Sequence, residues 1–296
     1  MIGPDGSALS DSVRSRLLAG RIDYAGLFPP AGLPMVEAVA NYASYRGWTD
    51  AWALGRFVVP AARLTECLAA IAAVGGSAWQ LSVTLGADPV VDLAAADLQQ
   101  LSAARLGIAL DCFEGRVDSA DAVQRLARAL AGRRCYGEVP LGTGRDAVLD
   151  ALVRAGARAK IRMGGVTPET FPDATAVAAF LVAVSARRLP FKATAGLHHP
   201  VRGRFRLTYE SGGPSGVMFG YLNLMAAAAL ALQGEDLALV RAALEAEPPA
   251  AFRVAADELM WGNRRIDLTG LSDRFDGFGS CSFREPVDEL EPAVLS

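Results

Sequence analysis

The segment Ala157–Gly165 reads ARAKIRMGG, and Leu189–Gly196 reads LPFKATAG. Each is a short apolar run that carries one lysine, with a glycine four residues later. Lys160 and Lys192 are the only lysines, since the other 27 of the 29 basic residues are arginine. Short apolar runs bounded by glycine are typical of buried strands, in which alternate residues share a face. We therefore expect Lys160 to point the same way as Arg162 on one strand, and Lys192 the same way as Thr194 on the next.

Similar short runs alternate with alanine-rich helical segments along the rest of the chain. Predicted strands are Tyr24–Phe28, Arg56–Val59, Trp79–Leu85, Leu106–Cys112, Cys135–Val139, Ala157–Met163, Leu189–Ala195 and Phe278–Phe283. Predicted helices are Pro34–Tyr45, Ala61–Val74, Leu93–Ala103, Ala120–Ala131, Arg145–Ala155 and Ala174–Arg187. Alternation at this length predicts an α/β fold with a parallel sheet, and eight strands favour a closed (β/α)8 (TIM) barrel. An open doubly wound sheet is the alternative, although no G-x-G-x-x-G follows the first strand.

The interval between the seventh and eighth strands is too long for one crossover. We interpret residues 1–296 as a single barrel domain, with residues 197–275 as an insertion of loop, helices and hairpin over the barrel mouth. The hairpin is predicted from Phe252–Val254 and Met260–Ile266, which flank a turn around Asp257. Active sites of barrel enzymes lie at this mouth.

Composition excludes several classes of protein. A net charge of −3 argues against a nucleic-acid partner, which would require a basic face. The most apolar stretch, Val217–Leu232, is shorter than a membrane span and is interpreted as a buried helix. The four cysteines are scattered and the polar N-terminus, with Asp5 and Asp11, lacks a signal peptide. We expect a cytoplasmic protein without a membrane partner.

Lysine is suited to chemistry that requires a deprotonatable amine, which arginine cannot provide. If the two lysine strands are neighbours, each cation would lower the pKa of the other in a buried site. A neutral amine formed in this way could attack a carbonyl carbon and form a Schiff base, or act as a general base.

The paired lysines on the sixth and seventh strands, each followed by small residues and glycine, resemble class I aldolases of the deoxyribose-phosphate aldolase type. The resemblance covers about 20 residues. It implies that Lys160 is the Schiff-base nucleophile, that Lys192 lowers its pKa and that Asp111 relays protons. The chain departs from the family at Arg162, where small hydroxylated residues are expected, and in the long insertion.

Other residues are candidates for acid–base chemistry. His198 could be a general acid or base or a metal ligand, and Glu138, on the fifth strand, is the preferred carboxylate after it. Asp111, Glu138 and a histidine could hold a divalent metal, although no cofactor is required by the pattern. The alternatives are that one histidine fixes the loop and that the carboxylates pair with Lys160 or Arg162.

A second set of residues is predicted to bind an anionic substrate. Exposed backbone N–H groups at glycine turns and arginine side chains suit a phosphate or carboxylate. Tight turns are the alternative reason for these glycines. The predicted set is Arg56, Arg162, Gly164, Gly165, Thr194, His199, Arg202, Gly279 and Ser280.

Two further features have simpler interpretations. Cys281 has no evident base partner in the sequence and is interpreted as a small buried residue. The aromatic cluster Tyr42, Tyr45, Trp48 and Trp52 is interpreted as packing or as a subunit contact, which leaves a homo-oligomer open.

Three functions remain open from the sequence. The first is a lyase of the aldolase kind that acts on a small anionic carbonyl compound through a lysine amine. The second is an isomerase, epimerase or decarboxylase in which the lysines stabilise an enolate, with or without a metal. The third is a non-catalytic ligand-binding or scaffold protein on a barrel fold.

Overall fold

Eight parallel strands close into a barrel in a computed structural model that describes residues 13–247, 251–255 and 258–290. The barrel strands are β1 (Ile22–Tyr24), β2 (Leu54–Pro60), β3 (Leu81–Thr84), β4 (Cys112–Arg116), β5 (Arg134–Glu138), β6 (Arg158–Arg162), β7 (Phe191–Thr194) and β13 (Phe275–Ser280). The order around the barrel is β1-β13-β7-β6-β5-β4-β3-β2, with every neighbouring pair parallel. The predicted (β/α)8 barrel is confirmed, and the open doubly wound sheet is wrong.

Helices connect successive strands on the outside of the barrel. They are α2 (Met35–Tyr45), α3 (Leu64–Ala73), α4 (Pro89–Asp97), α5 (Gln100–Arg105), α6 (Ala120–Leu130), α7 (Arg145–Arg154), α8 (Ala174–Ala186) and α9 (Tyr221–Leu232), after α1 (Val13–Leu18) at the start of the described chain. Side-chain caps begin three of them: Asp88 for α4, Ser119 for α6 and Asp173 for α8. These helices cover the sheet, so the barrel strands are buried on both faces.

The fourth predicted strand, Leu106–Cys112, is placed too early. In the structure β4 begins at Cys112, and Ile108 and Leu110 lie in a buried connection without strand pairing. Buried and exposed residues alternate in that connection as they would in a strand. The strand was therefore predicted to begin too early. The predicted helix Leu93–Ala103 is also two helices, α4 and α5.

The interval between β7 and β13 places its parts at both ends of the barrel. A hairpin of β8 (Gly203–Arg206) and β9 (Ser215–Met218) follows β7 and contacts the 3-10 turn Pro168–Thr170 after β6, on the mouth side. The helix α9 is the crossover that returns the chain along the barrel, and α10 (Leu237–Glu245) packs outside α8 and α9.

A three-stranded antiparallel sheet then follows, made of β10 (Phe252–Ala255), β11 (Glu258–Trp261) and β12 (Arg264–Ile266). It contacts the chain just after α9, where Gln233 donates to the backbone of Asp267 and Arg264 pairs with Glu235. Because the end of a crossover helix lies beside the amino ends of the strands, this sheet lies opposite the mouth. The interpretation of residues 197–275 as a mouth cover therefore fits only their first part. The predicted turn at Asp257 lies outside the described residues, as do Asp5 and Asp11.

The short helices α11 (Leu271–Arg274) and α12 (Arg284–Asp288) flank β13. The helix α9, predicted from the apolar stretch, has eleven consecutive buried residues. One helical segment among the described residues, Pro168–Ala186, is long and apolar enough by composition to span a membrane. It contains α8, whose buried face packs against α9 and α10 as part of the barrel.

Candidate functional site

Lys160 and Lys192 lie side by side inside the barrel, on the adjacent strands β6 and β7. They are direct register partners, and both side chains are almost fully buried. The carboxylate of Glu114, on β4, bridges them: Lys160 Nζ lies 2.7 Å from Oε2 and Lys192 Nζ lies 2.6 Å from Oε1. The expected meeting of the two amines in one site therefore takes place, around a shared carboxylate.

Lys192 forms a second ion pair with Asp23 on β1, at 2.5 Å from Oδ2. Burial by itself would lower the pKa of Lys192, but attraction to Asp23 and Glu114 outweighs it and raises the pKa well above its ordinary value. The neighbouring cation Lys160 was expected to lower the pKa of Lys192. This expectation is wrong, because the carboxylates of Asp23 and Glu114 lie at 2.5 and 2.6 Å from the Lys192 nitrogen and stabilise its charge.

Glu114 is the most enclosed charge of the network. Burial by itself would raise its pKa, but the ion pairs with Lys160 and Lys192 lower the pKa well below the ordinary value. Ser82 Oγ also donates to Glu114 Oε1 at 2.5 Å. The carboxylate is therefore held ionised by three donors in a buried site.

The network reaches the barrel mouth through Glu138 and Arg162, the last residues of β5 and β6. Glu138 Oε2 lies 3.1 Å from Lys160 Nζ, and Arg162 donates from Nε and Nη2 to its two carboxylate oxygens. Burial opposes the charge on Glu138, but Lys160 and Arg162 lower its pKa. Arg162 has a side chain that is 44% exposed, so it presents a cation to solvent directly above the buried lysines.

Thr194, Gly279 and Ser280 lie at the same end, on β7 and β13. Thr194 is the register partner of both Arg162 and Gly279. Ser280 is buried beside Tyr24, its partner on β1. Their placement is consistent with a ligand above Lys160, and their role as substrate contacts stays a prediction.

The loops after β6 and β7 are packed together by Phe171. A Cβ on Gly164 would overlap the Phe171 ring, and one on Gly196 would lie 2.8 Å from it. A Cβ on Gly165 would lie 2.7 Å from Thr170 Oγ1. Close packing thus explains why Gly164 and Gly165 are glycine, and their predicted contact with an anion stays untested.

Asp111 and Arg56 are at the wrong end of the barrel for the predicted roles. Asp111 immediately precedes β4, and its side chain is 56% exposed. Arg56 pairs with it at 3.3 Å and also donates to the backbone oxygen of Leu81, the first residue of β3. The assignments of Asp111 as proton relay and of Arg56 as substrate contact are therefore corrected, because both groups lie at the amino ends of the strands.

His198 and His199 form a separate cluster that caps the loop after β7. His198 Nδ1 lies 2.8 Å from Glu285, and His199 Nδ1 lies 2.7 Å from Glu289 while its ring stacks on Phe205. Arg202 pairs with Glu247. Among the described residues, none of the three forms a hydrogen bond or ion pair with Lys160, Lys192 or their carboxylate partners.

Several polar partners of these groups were not predicted from the sequence. Glu114 and Asp23 were not among the predicted site residues, and the strand of Asp23 was placed two residues late. Cys281 was assigned no base, yet its sulfur lies 3.9 Å from both ring nitrogens of His198. These contacts join residues far apart in the chain, and only the lysine scarcity gave a signal for the region.

No protein-family model, curated protein or solved structure matches the chain. Within the part of the chain that the structure describes, no group of three histidine, cysteine or acidic residues is arranged to hold a metal ion. The residues predicted to hold a metal do not meet, because Asp111 lies before the start of β4 whereas Glu138 lies at the end of β5. The site is therefore interpreted from its own geometry.

Proposed function

We propose that the chain is a barrel enzyme that acts on a small anionic carbonyl compound at the carboxyl ends of the strands. The supporting observation is the convergence of Lys160 and Lys192 on Glu114, since buried ion pairs of this kind are costly to maintain. Arg162, half exposed above them, would bind the anionic group of the substrate. Charged groups with shifted pKa values, such as Glu114 and Lys192, are candidates for a functional site when they lie in a barrel whose mouth carries the active site in known enzymes.

The geometry best supports enolate chemistry, in which Lys160 stays charged. A carbonyl oxygen placed beside Lys160 Nζ would be stabilised as it gains negative charge. Glu138, at 3.1 Å from that nitrogen and at the strand end, would take the proton from the carbon next to the carbonyl. Lys192, fixed as a cation by Asp23 and Glu114, would add to the positive electrostatic potential beside Lys160. Proton removal leads to isomerisation or epimerisation. In decarboxylation, carbon dioxide would leave in place of the proton, and its bonding electrons would form the same enolate.

Schiff-base lyase chemistry on Lys160, as in the class I aldolases that the lysine strands resemble, is the second candidate. One observation favours it: Glu114 and Glu138 both contact the Lys160 nitrogen and could accept its proton. Lys160 would then add to the carbonyl carbon, and the carbonyl oxygen would leave as water. Glu114 on β4, in place of Asp111, would be the relay carboxylate.

Two measurements on a panel of small phosphorylated and carboxylated aldehydes and ketones separate these candidates. Proton NMR in heavy water follows exchange at the carbon beside the carbonyl, and borohydride with mass spectrometry detects a trapped amine adduct. Enolate chemistry predicts exchange without an adduct on Lys160. Schiff-base chemistry predicts an adduct whose mass maps to Lys160.

The matched variants are Lys160→Arg, which keeps the charge, and Lys160→Met, which removes it. In enolate chemistry Lys160→Arg retains part of the exchange rate, whereas Lys160→Met loses about a hundredfold or more. In Schiff-base chemistry both lose trapping completely. Binding of panel compounds without exchange or adduct would contradict both candidates and indicate a ligand-binding protein.

A further inference from the structure

A cysteine, a histidine, a glutamate and a tyrosine meet at the barrel mouth, apart from the lysine network. Cys281 follows the last residue of β13, and its sulfur lies 3.9 Å from Nδ1 and from Nε2 of His198. His198 Nδ1 contacts Glu285 Oε2 at 2.8 Å. The Tyr209 hydroxyl donates to Glu285 Oε1 at 2.9 Å and lies 3.5 Å from the Cys281 sulfur.

The charges of this cluster suit a reactive sulfur. Burial would lower the pKa of His198, but contacts with Cys281 and Glu285 raise it to about 10. Burial opposes the charge on Glu285, but the hydrogen bond with His198 lowers its pKa. A histidine placed beside a cysteine sulfur is the usual arrangement of a cysteine nucleophile and its base. Burial and the neighbouring Cys281 and Glu285 raise the pKa of Tyr209, so its hydroxyl remains a donor.

The arrangement follows the logic of a nucleophile, a base and a third group that orients the base. We propose that Cys281, His198 and Glu285 form a second reactive centre, in which the Cys281 sulfur attacks small uncharged carbon electrophiles such as short aldehydes. The sulfur forms a bond to the carbonyl carbon and the C=O π pair moves to oxygen. That oxygen receives, through His198, the proton that left the thiol, so the addition is a neutral and reversible hemithioacetal formation.

The size and charge of the electrophile follow from the surroundings of the sulfur. Cys281 is only 6% exposed and the Tyr209 hydroxyl lies 3.5 Å from its sulfur, so a bulky reagent would be excluded. His198, whose ring nitrogens lie 3.9 Å from the sulfur, is already paired with Glu285. An anionic reagent would therefore lose its solvation without gaining a free partner, and an uncharged one is preferred.

The chain contains internal controls for thiol reactivity. Cys67 and Cys135 are buried and free, and burial raises the pKa of each to about 12. Burial raises the pKa of Cys112 as well. In the folded protein these three sulfurs should react far more slowly than Cys281.

The test is site-resolved alkylation of the folded full-length chain at pH 7, followed by mass spectrometry. Iodoacetamide, small and neutral, should label Cys281 at least tenfold faster than Cys67, Cys112 or Cys135. Iodoacetate, its charged analogue, should label Cys281 more slowly than iodoacetamide. A short aldehyde such as propanal, added first, should protect Cys281 from iodoacetamide, and dilution should restore the labelling.

The variants His198→Asn and Glu285→Gln identify the activating groups. We expect His198→Asn to slow labelling of Cys281 by about tenfold and Glu285→Gln to slow it by a smaller factor. Tyr209→Phe removes the hydroxyl and keeps the ring. A changed labelling rate in this variant would therefore report the hydrogen bonds of Tyr209 and not steric shielding of the sulfur by its ring. Circular dichroism and labelling of Cys67 report whether each variant is folded. If His198→Asn does not fold, Glu285→Gln tests whether the cluster activates Cys281.

Two results would overturn the proposal. The first is a Cys281 that resists iodoacetamide in the folded chain while reacting in denaturant. The second is labelling at equal rates in the parent chain and in folded His198→Asn and Glu285→Gln. Because no readout uses turnover at Lys160, failure here is distinct from failure of the lysine-based function.

Discussion

At the scale of single residues, the barrel interior is organised by charge balance. Two lysines meet three carboxylates, from Asp23, Glu114 and Glu138, and Arg162 and Arg116 supply further positive charge at the mouth. A buried ion retains its charge only if partners replace the lost water. Each member of the network therefore depends on the others, and Glu114 depends on both lysines.

Glu114→Gln should strongly destabilise the fold. The substitution keeps the size of the side chain but leaves Lys160 and Lys192 with one carboxylate partner each. Removing one partner from a buried ion pair costs about 3–5 kcal/mol, so the free energy of unfolding should fall by roughly 3 kcal/mol in urea titrations. Arg63→Ala, which breaks the exposed ion pair with Glu66, is the control and should leave the free energy of unfolding nearly unchanged.

Glu114 also predicts a dependence of stability on acid. Its pKa in the folded chain is lowered, despite burial, by Lys160 and Lys192, so it contributes stability above the unfolded value of about 4.3. That contribution is lost as pH falls below the unfolded value toward the folded one. Between about pH 4 and pH 3 the parent chain should lose roughly 1.4 kcal/mol per pH unit more than Glu114→Gln. Parallel profiles in urea titrations at several pH values would contradict this assignment.

The site could be located from the sequence but not assembled from it. Lysine scarcity identified Lys160 and Lys192, and strand alternation placed Arg162 and Thr194 beside them. Asp111 was chosen wrongly as the proton relay because the buried run before Cys112 imitates a strand and places the apparent strand end at Cys112, next to Asp111. The Cys281–His198 contact bridges 83 positions of the chain, and no local pattern indicates it.

At the scale of elements, the loops after β6 and β7 form one packed unit at the mouth. Phe171 lies against Gly164 and Gly196, and the backbone at Gly196 has a φ of 67°. A side chain at Gly196 would combine steric overlap with backbone strain, whereas one at Gly164 would cause overlap alone. This packing holds the ends of the two lysine strands together.

Gly164→Ala should therefore lower the free energy of unfolding by about 1–3 kcal/mol, as overpacking of a tight contact does. Gly142→Ala is the matched control, because a Cβ there meets no atom within 4 Å and the backbone is not left-handed. Combining Gly164→Ala with Phe171→Ala should cost less than the two single changes added together. Equal effects of Gly164→Ala and Gly142→Ala in urea titrations would show that Phe171 does not constrain this loop.

Helices were predicted more accurately than strand ends. The prediction Pro34–Tyr45 differs from α2 by one residue, because a continuous 3.6-residue period fixes a helix over many positions. The predicted strand Phe278–Phe283 lies three residues late against β13, because Phe275 is buried and paired while Asp276 and Gly277 interrupt the apolar run. Short strands give too few positions for a pattern to fix their ends.

At the scale of the whole molecule, the two ends of the barrel have different roles. Strand count and alternation predicted the closed barrel, since eight parallel strands with crossovers leave few other arrangements. The destination of the residues between β7 and β13 could not be predicted, because local patterns give the hairpin and the sheet but not the end at which each one packs. The structure places β8–β9 at the mouth and β10–β12 at the opposite end.

A second polar layer lies at that opposite end and predicts a separation of stability from reactivity. Asp276 accepts hydrogen bonds from Arg158 at 2.6 and 2.7 Å and from Tyr136 at 3.0 Å, which joins β13 to β6 and β5. Because the Arg158 side chain is 31% exposed, solvent screens this pair, and Asp276→Asn should cost only about 1–2 kcal/mol. The same variant should leave iodoacetamide labelling of Cys281 unchanged, because Asp276 lies at the amino ends of the strands and Cys281 lies at the mouth. Urea titration and labelling of one preparation measure both, and slower labelling in a folded Asp276→Asn chain would show that the two ends are coupled.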